Sequence, residues 1–250
     1  MLDNILAAFM FFTRLPFWKL KTVPQECFKH VVAYWSLSGW LTGGLMALSC
    51  WGLLYLFPAP VAVIGALVVR LLLTGALHED GLADFFDGFG GGHDRESTLR
   101  IMKDSFIGSY GVIGLITYYL LSVSLLLSLP EKLLPLVLMC ADPFAKYVGS
   151  HILRELPYAR KEEESKAKVV YTRFNWKEML VSAVGGLLPL VFLPLPYGWM
   201  LIGPVVVFFL LIRLFRSRLG GYTGDCCGAL FLLAELSAWM GAAIVTHFNG

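Results

Sequence analysis

The chain has 250 residues, 57% of them hydrophobic and 15% charged, with a mean hydropathy of +0.69 and a formal net charge of +2. That composition excludes a water-soluble domain of ordinary make-up and predicts an integral membrane protein. The small basic excess suits a membrane rim that attracts anionic lipid or a phosphorylated substrate, and it gives no case for nucleic-acid binding.

Leu2 to Leu15 is apolar but too short to cross about 30 Å of hydrocarbon, so it predicts an interfacial or re-entrant helix. It lacks a basic n-region and a small-residue cleavage site, so no removable signal peptide is expected. Membrane-length apolar stretches then follow at Val31 to Phe57, Pro60 to Ala76, Ser109 to Leu129, Leu133 to Leu153, Met179 to Leu195, Tyr197 to Leu214 and Cys226 to Thr246. They predict an all-α, polytopic bundle of about seven transmembrane helices. The stretches at Pro60, Met179 and Tyr197 are the short ones, and Pro189, Pro194, Pro196 and Pro204 blur the last boundaries. With no repeat and no shift in composition, the whole of 1–250 reads as one membrane domain.

Basic residues test this arrangement, because Lys and Arg concentrate in cytoplasmic loops. Arg14, Lys19, Lys21 and Lys29 precede the first span, and Arg95, Arg100 and Lys103 follow the second. More lie between Arg154 and Lys177, and Arg213, Arg216 and Arg218 follow the sixth, whereas the loops on the other side hold only Lys132. The N-terminus is therefore expected in the cytoplasm and the C-terminus outside. Cys27, Cys50, Cys140, Cys226 and Cys227 show no zinc spacing and read as packing residues.

Between the second and third spans lies His78 to Gly92, HEDGLADFFDGFGGG, on the expected cytoplasmic side. Asp80, Asp84 and Asp87 are spaced i, i+4, i+7, which on a helix puts them within roughly 60° of one another. Three like charges so placed favour a bound hard cation such as magnesium, so Asp80, Asp84 and Asp87 are candidate metal ligands. Glu79 is rotated away and is a weaker candidate. His78, with a side chain that titrates near neutrality, is a candidate general base.

Three other segments fall on the same side: Met102 to Gly111, the charged loop Arg154 to Lys177 and Leu219 to Asp225. Asp104 is a candidate metal ligand or helix N-cap, and Asp225, after Gly220, Gly221 and Gly224, is another. The stretch Arg154 to Lys177, which contains RKEEESKAK, reads as a solvated loop or short surface helix with a secondary role as a lid. Together these segments offer carboxylates for a metal, glycine amides for phosphate and cations for residual charge. Arg70, Asp142, Lys146 and Glu235 lie inside predicted spans, where an uncompensated charge costs at least about 2.5 kcal/mol. They are expected to be paired or near a cavity, and Asp142 and Lys146, at i, i+4, can pair with each other.

At these residues the chain resembles the cobalamin synthase family of adenosylcobinamide-GDP ribazoletransferases. The matching patterns are Phe12-Thr13-Arg14-Leu15-Pro16, His78 through Gly88, Met102-Lys103-Asp104-Ser105 with Gly108, Tyr158-Ala159-Arg160, and Leu219 through Asp225. After Arg160 the family commonly has a glycine-containing stretch where this chain has Lys161-Glu162-Glu163-Glu164-Ser165. The acidic motif is also similar to the D-G-x-x-A-R signature of CDP-alcohol phosphotransferases, with Asp84 in place of the arginine. The resemblance implies a bacterial inner-membrane enzyme that joins adenosylcobinamide-GDP to α-ribazole or its 5′-phosphate and releases GMP with the help of Mg2+. It further implies catalytic roles for His78 and Asp84, and substrate contacts at Arg14, Gly81, Gly88, Lys103, Arg160, Gly221 and Thr223. A cation-coupled transporter using the same carboxylates is the main competing reading, and a phosphotransferase with a lipid alcohol acceptor is the second. Such transporters usually show repeated halves and a midplane site, and neither is visible here.

Overall fold

The computed structural model describes residues 1–160 and 170–249. The helices in chain order are α1 (Leu2–Phe12), α2 (Trp35–Leu53), α3 (Ala59–Thr74), α4 (Leu77–Gly91), α5 (Arg95–Ile101) and α6 (Ser109–Leu127), followed by α7 (Leu134–Ser150), α8 (Ile152–Glu155), α9 (Trp176–Leu187), α10 (Ile202–Leu219) and α11 (Gly224–Asn249). Tight 3-10 turns lead into α2, over Gln25–Tyr34, and into α10, over Leu195–Leu201. Among the described residues there is no strand, only an isolated parallel bridge between Tyr158 and Tyr222. The fold is a helical membrane bundle.

Among the described residues, four helices are long and apolar enough to cross a membrane: Gln25–Leu53, Ser109–Leu127, Leu195–Leu219 and Gly224–Asn249. A fifth is added if α3 and α4, which meet at a 93° bend, are taken as one broken span. The expectation of about seven spans is thus reduced for physical reasons. At 17 residues α7 is short and carries Asp142, Pro143 and Lys146, while α9 lasts 12 residues before its apolar run tightens into a 3-10 turn at Leu188–Phe192. Tyr197 to Leu214, expected to be short, belongs instead to a continuous 25-residue helical segment.

The bundle is built around α11, which packs against α4, α7, α10 and α6. Two-thirds (67%) of its most apolar window is buried inside the protein, against 28% for α6. Accordingly α6 and α10 present Ile113, Ile116, Leu120, Phe209 and Leu210 outward, as a bilayer requires. The charges inside the bundle are paired. Asp142 and Lys146 meet at 2.6 Å, one helical turn apart as expected, and Thr42 joins them by accepting from Lys146 and donating to Asp142. Arg70 on α3 forms an ion pair with Glu235 on α11, donates to the Tyr118 hydroxyl at 2.9 Å and stands 3.4 Å from Glu79.

The bend before α4 depends on two successive left-handed residues, Gly75 at φ 66° and Ala76 at φ 59°. Glycine takes that conformation freely, whereas alanine is strained by it. The turn is held where the Arg14 backbone N–H donates to the Leu73 carbonyl at 2.7 Å. It turns α4, with the acidic motif, sharply away from the axis of α3 and lays it against α11.

Candidate active site

Helices α4 and α11 cross at glycine. A Cβ on Gly81 would stand 3.1 Å from the Asp225 Cα, and one on Gly228 would stand 3.0 Å from the His78 carbonyl oxygen. Small residues at such a crossing let backbones approach closely, and here the approach brings Asp225 beside the turn that carries Asp80. The N-terminus of α11 is fixed by Thr223, whose hydroxyl accepts from the Cys226 N–H at 3.3 Å and donates to an Asp225 carboxylate oxygen at 3.3 Å.

The preceding glycines set a second crossing. Gly220 closes α10 in the left-handed conformation, and a Cβ on Gly221 would meet the Pro157 carbonyl at 2.5 Å. Tyr222 then donates its N–H to Pro157 at 2.9 Å and accepts from the Ala159 N–H at 2.8 Å. This pairing directs Arg160 inward, where its guanidinium reaches within 3.9 Å of Asp225 and donates to the Leu99 carbonyl at 3.0 Å. Arg95 clamps the same junction by donating to the carbonyls of Leu219 and Ala159, at 2.8 and 2.6 Å.

These elements enclose a cavity of about 330 Å³. His78, Asp80, Gly81, Arg160 and Asp225 line it together with an aromatic wall of Phe11, Phe12, Trp35, Tyr158 and Tyr171. A second cavity of about 470 Å³, lined by Thr13, Arg14, Thr74 and the Gly75–Ala76 bend, adjoins it, and Phe11, Leu77 and Asp80 line both. Asp80, which is exposed, is the charged side chain common to the two. Desolvation holds the hydroxyls of Tyr171 and Tyr222 above the usual phenol range, so both are neutral groups at physiological pH.

The other expected residues lie elsewhere. Asp84, one turn after Asp80, is buried on α4 and lines neither cavity. Asp87 caps α6, one oxygen accepting from the Gly108 N–H at 2.7 Å and the other from the Gly111 N–H at 2.8 Å. Gly88 packs against the Met102 side chain. Lys103 and Asp104 are exposed, and the Asp104 carboxylate accepts from the Phe106 N–H at 3.2 Å. Of the expected lid, Arg154 to Lys177, residues 161–169 lie outside the described residues, while Tyr158, Arg160 and Tyr171 from the rest line the aromatic cavity.

Among the described residues, no group of three His, Cys, Asp or Glu side chains is drawn together as a metal cage. Two hard-oxygen carboxylates, Asp80 and Asp225, line one cavity, and this donor set fits magnesium, which is ordinarily held by one or two carboxylates plus substrate phosphates.

A family model for cobalamin-5-phosphate synthase matches residues 4–243. The chain belongs to the cobalamin-5-phosphate synthase family. It is 38% identical over 248 residues to a Shewanella baltica (strain OS185) protein named adenosylcobinamide-GDP ribazoletransferase, covering 98% of this chain and 95% of the relative. A Ralstonia pickettii (strain 12J) protein of the same name is 40% identical over 241 residues, covering 92% and 93%. No solved structure matches the chain.

For this member of the cobalamin-5-phosphate synthase family, the aromatic wall is what sequence reasoning missed. Phe11, Phe12, Trp35 and Tyr171 come from α1, the start of α2 and the segment before α9, and in sequence each is an ordinary apolar residue. The one available signal was the position of Phe11 and Phe12 directly before Thr13-Arg14.

Proposed function

We propose that the chain transfers the phosphocobinamide group of adenosylcobinamide-GDP to α-ribazole or its 5′-phosphate and releases GMP, in the bacterial cytoplasmic membrane. The observation that carries this reading is that Asp80 lines two adjoining cavities, since a reaction between two substrates needs two seats that meet at the reacting atoms. The Arg14 cavity takes the donor's phosphates, and the aromatic cavity takes the acceptor. Arg160 offers a fixed cation toward phosphate oxygens beside Asp225.

In the reaction a ribazole hydroxyl oxygen attacks the phosphorus attached to cobinamide, and the bond from that phosphorus to the GMP oxygen breaks. His78 accepts the hydroxyl proton: it lines the acceptor cavity, and among the described residues its Nε2 has no hydrogen-bond partner. Magnesium would be held by Asp80 and Asp225, with Asp84 behind them, and when bound would neutralise charge on the phosphoryl oxygens and on departing GMP. The loop charges favour a cytoplasmic N-terminus and active site, with membrane lipid around α6 and α10.

The test is GMP release and cobalamin formation by detergent-purified protein given adenosylcobinamide-GDP, α-ribazole and magnesium. EDTA is expected to abolish the product, and Asp80→Asn to reduce it by at least about 100-fold, as expected for a lost transition-state charge contact. Full activity of a folded Asp80→Asn protein would remove the shared carboxylate from the mechanism.

A further inference from the structure

The two cavities differ in kind, and the difference assigns one substrate group to one wall. The aromatic cavity joins an exposed residue to deeply buried ones: Asp80 is exposed, whereas Phe12 is 4%, His78 2% and Trp35 1% exposed. Phe12 stacks on Trp35 with ring centroids 5.3 Å apart and planes at 17°, and Phe11 meets Tyr171 edge-on at 6.1 Å. A wall of this sort favours a flat ring. At about 330 Å³ the space is the size of a nucleoside and far too small for a corrinoid macrocycle.

Trp35 belongs to this wall, and among the described residues its buried indole Nε1–H has no hydrogen-bond partner. A buried donor without an acceptor is costly, and a ligand that brings an acceptor relieves the cost. We propose that the aromatic cavity seats the base of the acceptor nucleoside, a largely apolar bicyclic ring whose one unprotonated ring nitrogen accepts from Trp35. This rests on the ribazoletransferase reading and extends it by naming Trp35 as a base-specificity residue. The large donor, with its corrinoid outside the protein, instead suits the wider Arg14 cavity.

The test compares α-ribazole with its indole counterpart, in which a C–H replaces the accepting ring nitrogen, in wild-type and Trp35→Phe protein. Trp35→Phe is expected to lower kcat/KM for α-ribazole about tenfold, the share of one hydrogen bond, through the acceptor KM. For the indole counterpart the change is expected to stay within about twofold, with the donor KM unchanged in both cases. Equal losses for the two acceptors, or a raised donor KM, would overturn the assignment. Should Trp35→Phe fail to fold, wild-type protein photolabelled with an azidobenzimidazole riboside decides the matter. Label in the Phe11–Trp35 or Tyr171 peptides supports the proposal, and label confined to Thr74–Ala76 overturns it. A failure of the underlying reading is distinct, since wild-type protein would then release no GMP with either acceptor.

Discussion

Asp87 offers the sharpest separation of a structural from a chemical role. Its carboxylate is 6% exposed and holds two backbone N–H groups at the start of α6, where negative charge also meets the positive end of the helix dipole. Hydrogen bonds to a charged group contribute about 1.5–3 kcal/mol each. The Gly111 bond is buried and keeps that value, whereas Gly108 is exposed and water replaces most of its share. Asp87→Ala is therefore expected to cost about 3 kcal/mol, which for a chain of this size lowers the apparent unfolding midpoint by roughly 6–12 °C. Thermal unfolding of the detergent-purified variant, followed by fluorescence and paired with GMP release well below the midpoint, measures both effects. A midpoint within about 2 °C of wild type, together with lost activity, would refute the capping role and return Asp87 to the metal.

Two further expectations concern packing. Gly228→Ala places a Cβ 3.0 Å from the His78 carbonyl, so α4 and α11 must separate by a few tenths of an ångström. Because Asp80 and Asp225 move with them, kcat/KM should fall roughly three- to tenfold, while Gly52→Ala, which meets nothing within 4 Å, serves as the unaffected control. Glu235→Gln should destabilise the protein by about 3 kcal/mol by leaving Arg70 without its main partner, and the triple variant Arg70→Met, Glu235→Met and Glu79→Gln, which also removes the carboxylate 3.4 Å from Arg70, should recover at least half of the loss of midpoint. A neutral single variant in the unfolding assay would contradict that account.

Much of the fold was legible because hydropathy is a local property. The apolar run from Ser109 and the final span at Cys226 became α6 and α11, and the Asp142–Lys146 pair followed from its i, i+4 spacing alone. Length was a poorer guide where charge and proline fall inside an apolar run, as in α7 and α9. The acidic motif's face was worked out on the condition that it is helical, which α4 meets, yet periodicity could not reveal that Asp87 faces a segment 21 residues further on. Arg70 and Glu235, 165 residues apart, were each expected to be paired or near a cavity, but only the bundle identifies the partner. Ala76 carries no sequence mark of its left-handed backbone, so the bend that turns α4 was visible only as the neighbouring Gly75.

The arginines at this end of the bundle bear on how the protein can vary. Arg95, Arg160, Arg216 and Arg218 each donate to a main-chain carbonyl: Leu219 and Ala159, Leu99, Glu155, and Gly92 respectively. The same side chains carry the loop charge that orients a membrane protein during insertion. Lysine would preserve that signal but not the planar fork that reaches Leu219 and Ala159 at once. Selection for membrane orientation alone would accept either residue, so a lineage that drifted from arginine to lysine at Arg95 would remain correctly inserted while the junction holding Arg160 beside Asp225 loosened.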